Sequence, residues 1–136
     1  MNFHLLFKVK IKKYLYNLKM NVISLIFSIL AALEHIYILY LETVITDSEK
    51  TSKVFGIGSN ELKTKTVSAL LKNQGIYNGL LSVLLFISIF RSEIFWIRLF
   101  LTYIIIVAIY GGITSNPKII FKQGSLAIIA LLFSFY

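Results

Sequence analysis

No cysteine occurs in the 136-residue chain, which excludes disulfides, thiol nucleophiles and thiolate metal sites together. Acidic residues are scarce: six Asp and Glu stand against fourteen Lys and Arg. In a water-soluble protein that imbalance would suggest nucleic acid. Here the cations flank apolar runs, where they meet lipid headgroups and fix orientation, so no nucleic-acid partner is expected. Nucleophilic triads, phosphate-cradling glycine loops and nucleotide fingerprints are missing, and no cofactor or metal site is expected. Internal repeats, low-complexity tracts and heptad arrays are missing too. Proline occurs once, at Pro117, where it marks a break by fixing the backbone and removing a donor.

What is present is apolar surface. The chain is 57% hydrophobic with a mean hydropathy of +0.80, too apolar for a soluble domain of this size to hide from water. A bilayer core asks for roughly 20 mainly apolar residues per spanning helix, and several such stretches are joined by short polar segments. The expected fold is all-α: one integral membrane four-helix bundle, with its lipid bilayer as the first partner.

Residues 1–19 carry Lys8, Lys10, Lys12, Lys13 and Lys19 interleaved with Phe3, Phe7, Ile11, Tyr14 and Leu18. Spacings of three and four predict a basic amphipathic helix on a membrane surface; the competing reading makes Met20 the start of the protein. The four-helix domain then covers residues 20–136, with helices over about 22–42, 66–90, 94–113 and 118–136. Between the first two lies the one sizeable extramembrane loop, with Gly56 and Gly58 in the manner of a turn. Gly75 and Gly79 form a GxxxG pair, read as a close helix–helix packing surface and, less favoured, as the contact of a homo-oligomer.

Polar residues gather at one depth. If the chain enters its first helix at face A and leaves at face B, a rise of 1.5 Å per residue puts Glu34 and His35 roughly 10 Å inside face B. Glu42 sits at that face, able to reach the interface. Asn73, Gln74, Tyr77 and Asn78 enter the membrane from the same side on the second helix, Tyr110 ends the third there, and Gln123 lies about a turn and a half into the fourth. These nine residues are the candidate ligand-binding set, read as a polar pocket open to face B. A carboxylate in hydrocarbon is costly unless paired, hydrated or protonated, so Glu34, the deepest acid, is expected to face the interior and to be the residue an activity cannot spare. His35 and Glu42, seven apart, share one helical stripe.

In this order and spacing, Ala32-Leu33-Glu34-His35, Tyr40-Leu41-Glu42, Val54-Phe55-Gly56, Asn73-Gln74-Gly75, Tyr77-Asn78-Gly79, Ile109-Tyr110-Gly111 and Gln123-Gly124 resemble the small bacterial and fungal membrane proteins catalogued as domain of unknown function 1304. The likeness runs from about Met20 to the C-terminal end and leaves out residues 1–19. Two departures are visible: the loop after Glu42 lacks the family's tryptophan, and Ser125-Leu126 stands where a proline follows Gln-Gly, which predicts a straighter fourth helix. The resemblance implies a four-helix integral membrane protein and supplies no reaction.

Three functional readings stay open. In the favoured one the nine residues line a cavity that binds or transports a small polar solute, a cation or a lipid headgroup. In the second they hydrogen-bond across helices and fix packing, at about 0.6 kcal/mol apiece. In the third, Glu34 or His35 is the general acid or base of a membrane enzyme. The expected location is a bacterial plasma membrane, crossed several times. Cation counts on the two faces nearly balance for the full chain and put face B in the cytoplasm if the protein starts at Met20.

Overall fold

The computed structural model describes residues 3–18 and 20–136, with no account of side chains 14–18; Lys19 and the side chains of Tyr14 and Leu18, on which the surface-helix expectation also drew, lie outside the described residues. Among the described residues the chain is all-helical, with no strand. Seven α-helices follow one another: α1 Phe3–Leu18, α2 Val22–Leu39, α3 Glu49–Phe55, α4 Ser59–Leu62, α5 Lys65–Phe90, α6 Ile94–Thr114 and α7 Ser125–Phe133. Two π-helical turns, Tyr40–Val44 and Ile120–Gly124, extend α2 and precede α7.

The side-chain pattern along the long helices is the reverse of a soluble protein's. The buried stripe of α2 runs Ser24, Ser28, Ala31, His35, Ile38 and on to Glu42, spaced by fours and threes as one helical face requires. On α6 the buried face is Ile97, Leu101, Ile104, Ala108 and Gly112. On α2 the inward positions are mostly small or polar, while on all the long helices large apolar residues also point out: Phe90 is 80% exposed, and Phe95, Ile106 and Leu70 are exposed as well. Small residues inside and large ones outside suit helices that pack closely in lipid.

Three helical runs are long and apolar enough to cross a membrane: Val22–Val44, Lys65–Phe90 and Ile94–Thr114. The fourth expected span is shorter. Its apolar part, Ile120–Phe133, has 14 residues, about 21 Å against a hydrocarbon core of about 30 Å. It is not a regular α-helix throughout either: residues 120–124 widen into the π turn. Glycines make room for that turn: Gly112 lies against Ile120, and a Cβ on Gly124 would sit 3.2 Å from the Ala108 methyl.

The chain clusters into two compact units, Met1–Ala31 with Leu84–Tyr136, and Ala32–Val83. In the first unit α7 runs back along α6, and its far end is tied down. Ser24 Oγ donates to the Ala130 carbonyl at 2.7 Å, and Asn21 Nδ2 donates to the Phe133 carbonyl at 2.8 Å. Arg98 Nε donates to Ser134 Oγ at 3.1 Å, its Nη2 donates to the Ser134 carbonyl, and its guanidinium lies 4.1 Å from the Phe135 ring centroid. A cation at a helix C-terminus meets the carbonyls left free there. The end of α7 therefore lies level with the first turns of α2 and α6.

In the second unit the loop is built rather than slack. Ser48 caps α3 by accepting from Thr51 N–H at 3.1 Å. The fully buried Thr51 hydroxyl reaches the carbonyls of Ile45 at 2.8 Å and Leu41 at 3.2 Å, around the π turn. Gly56 closes α3 at φ +72°, the left-handed conformation that favours glycine. The expected turn is present, with two short helices around it.

Candidate functional site

Glu42 is the centre of the polar cluster in the second unit. It is 0% exposed, although the sequence puts it at the membrane boundary within reach of the interface. The cause is the stripe it shares with His35 and Ile38, which turns it inward, and the π turn Tyr40–Val44 that carries it. Opposite stands α5, where Gly75 permits close approach: a Cβ there would lie 3.0 Å from Glu42 Cβ, 3.4 Å from the Leu39 carbonyl, and closer still to Thr43 Oγ1. One turn on, a Cβ at Gly79 would lie 2.8 Å from Leu39 Cδ2. The GxxxG face is thus filled from within the chain.

That approach brings Asn78 Nδ2 to Glu42 Oε2, to which it donates at 2.9 Å. The other carboxylate oxygen, Oε1, is buried with no hydrogen-bond partner among the described residues, and so is the neighbouring Thr43 Oγ1. Adjacent residues on an α-helix diverge by about 100°. The wider π turn, bonded i to i+5, accommodates both on the side facing Gly75. Two buried oxygens with acceptor capacity and no donor form an unmet demand, since each buried unsatisfied group costs about 1–3 kcal/mol and a charged one more.

Glu34 is half-buried, and its Oε2 is likewise buried and unpartnered among the described residues. His35 is buried on the same stripe as Glu42. The remaining candidates on α5 do not join them. Asn73 and Gln74 are exposed, and Tyr77 is 71% exposed; on the ends of apolar helices such residues suit the polar belt of a membrane surface. In the other unit Tyr110 is 69% exposed, while Gln123 is half-buried in the second π turn. Of the nine candidates, the structure hydrogen-bonds Glu42 to Asn78 and aligns His35 with Glu42 on one helical stripe.

Sequence reasoning missed Thr43 and the residues just beyond it. Thr46, buried, donates its hydroxyl to the Glu42 carbonyl at 2.7 Å. It also lines a mainly polar cavity of about 190 Å³ together with Asp47, Lys63, Ser68 and Lys72. The signal available for Thr43 was its place beside Glu42 and opposite a GxxxG pair. Regular α geometry pointed it elsewhere.

Helices of membrane-crossing length around a buried, half-partnered carboxylate define an all-helical protein with the attributes of a membrane protein. The chain belongs to the family described as protein of unknown function DUF1304, whose model matches residues 29–135. It is also similar to the uncharacterized protein YpaA of Lactococcus lactis subsp. lactis strain IL1403, with 52% identity over 119 residues, 86% of this chain and 100% of the relative. No solved structure matches it.

Proposed function

We propose that the chain is a multi-pass membrane protein that crosses the bilayer four times and binds, at Glu42, a small cation or a solute presenting N–H donors. The observation that carries the site is Glu42 itself: fully buried at the end of an apolar helix, held by Asn78 at one oxygen and, among the described residues, unpartnered at the other, beside an equally unpartnered Thr43 hydroxyl. Both orphaned groups offer lone pairs. The ligand class they suit therefore brings positive charge or donors. A polar cavity lies one turn on, with Thr46, which donates to the Glu42 backbone carbonyl, in its wall.

Ligand binding to the folded protein raises its stability by mass action, by about 2.7 kcal/mol at a hundredfold excess over Kd. The full chain, purified in mild detergent, is expected to melt at a higher temperature as sodium, potassium or methylammonium chloride replaces choline chloride at constant ionic strength, with saturation for at least one of the three. Identical melting in all four salts would remove the cation reading. A packing role for the same groups has its own support in the Asn78–Glu42 hydrogen bond and the Gly75 contact, and it predicts that flat result.

The fourth crossing rests on the ties between Asn21 or Ser24 and the end of α7, which favour a short span offset by the interfacial Arg98 and Ser134. Reporter tags placed before Met20 and after Tyr136 should then lie in the same compartment. Opposite compartments would mean three crossings, with α7 returning only part of the way.

A further inference from the structure

The turn between α5 and α6 holds a second, independent feature. Two candidate spans end here, at Phe90 and Ile94, so the turn lies at a membrane boundary if they cross. A groove of about 360 Å³ opens beside it, mostly apolar, between Leu84 and Ile87 of α5 and Trp96 and Phe100 of α6. Its volume falls within the roughly 300–1,000 Å³ of small-molecule sites. The aromatic wall is stiffened from within: Trp96 meets Phe95 edge to face at 5.4 Å and stacks with Phe100 at 6.0 Å. Ser88 also lines the groove, but its hydroxyl is spent on the Leu84 carbonyl at 2.8 Å.

The mouth is charged with both signs. Arg91 and Glu93 line it, both are exposed, and they form no ion pair with each other. Ser92 between them sits at φ +58° in the left-handed region, unusual for a residue other than glycine. The Ser92 N–H bonds the Ile89 carbonyl and the Glu93 N–H the Ser88 carbonyl, each at 3.0 Å, the bond pair of a left-handed helix cap. This fixed turn keeps the cation and the anion on either side of one strained residue, above an apolar slot.

We propose that this groove binds a phospholipid with a phosphoethanolamine headgroup: the phosphate on Arg91, the primary ammonium on Glu93, and an acyl chain along Leu84, Ile87, Trp96 and Phe100. The charge pattern selects the occupant. An anionic headgroup satisfies Arg91 but meets Glu93 as a like charge, and a quaternary ammonium has no N–H to give the carboxylate. A phosphoethanolamine lipid meets both groups with charge-assisted hydrogen bonds, and Trp96 provides the amphipathic ring typical of the headgroup level.

The test uses the full chain purified in detergent and incubated with dioleoyl phosphatidylethanolamine, phosphatidylcholine or phosphatidylglycerol, with retained lipid read by native mass spectrometry. The ethanolamine lipid should bind about tenfold more tightly than either other lipid, the equivalent of one strong charge-assisted bond. Glu93→Gln should shift the preference to phosphatidylglycerol, because Arg91 remains without its counter-charge. Trp96→Ala should weaken retention of all three. Melting curves and monodispersity certify that each variant is folded. Equal retention of the three lipids by the unaltered protein, an ethanolamine preference that survives Glu93→Gln, or a lipid-free dimer disrupted by Trp96→Ala would each overturn the proposal.

Discussion

Gly75→Ala should lower the stability of the protein by about 1–3 kcal/mol, the usual cost of forcing atoms into a filled site, and Gly75→Leu should abolish its accumulation as folded protein. The added methyl has nowhere to go. It would overlap Thr43 Oγ1 and press on Glu42 Cβ at 3.0 Å, with the Leu39 carbonyl, a backbone atom that cannot rotate away, at 3.4 Å. Gly79→Ala should cost less, since its obstacle at 2.8 Å is the terminal methyl of Leu39, which can change rotamer. The contact has a specific signature in a double-mutant cycle: Thr43→Ala removes the oxygen that Gly75→Ala strikes, so the pair should be less destabilised than the two single changes added together. Thermal melting in detergent measures all four proteins. If Gly75→Ala leaves melting unchanged but dissociates an oligomer, the GxxxG surface serves a second copy of the chain and not Glu42.

The cycle also bears on what the sequence could reveal. Composition and apolar runs were enough for an all-helical fold with spans of membrane length, because in lipid the backbone must be satisfied within each helix. Three helices long and apolar enough to cross a membrane formed where hydropathy put them. The fourth came out shorter: the break at Asn116 and Pro117 was legible, but the π turn that follows it and the tertiary contact of Arg98 on Ser134 at the far end are features hydropathy does not see. The His35–Glu42 stripe was legible from helical periodicity alone. Burial along it was not, since depth counted from a helix end assumes uniform α geometry, and the π turn at Tyr40–Val44 with a glycine opposite buries Glu42 where simple counting leaves it at the surface. The same assumption grouped Asn73, Gln74 and Tyr77 with the interior. Their exposure depends on which face of α5 the two glycines commit to α2, and once Gly75 and Gly79 point inward, residues 73, 74 and 77 turn away. For Tyr110 and Gln123 only depth was legible, and depth says nothing about facing.

Glu42→Gln is expected to leave folded protein in the membrane at normal abundance while abolishing the salt-dependent rise in melting temperature. The amide keeps an oxygen for Asn78 and nearly the same shape, but it cannot ionise, so only a role in charge or cation binding is removed. Glu42→Leu should behave differently: with no acceptor opposite, Asn78 loses its 2.9 Å bond, and the half-buried amide lowers stability by about 1–3 kcal/mol. Asn78→Leu should reproduce that loss and leave both carboxylate oxygens unpartnered. Glu34 is the residue that depth alone would rank first, and its Oε2 is also buried without a partner among the described residues. It is, however, only half-buried, whereas Glu42 is enclosed, hydrogen-bonded and adjacent to Thr43. Glu34→Gln is therefore expected to keep most of the salt response. Measuring abundance, melting temperature and salt response for the four variants separates these cases. Loss of the response in Glu34→Gln together with its survival in Glu42→Gln would move the site about two turns deeper into the membrane and end the assignment to Glu42. Survival in both would leave the carboxylates to packing, and the cation-binding reading would fall with them.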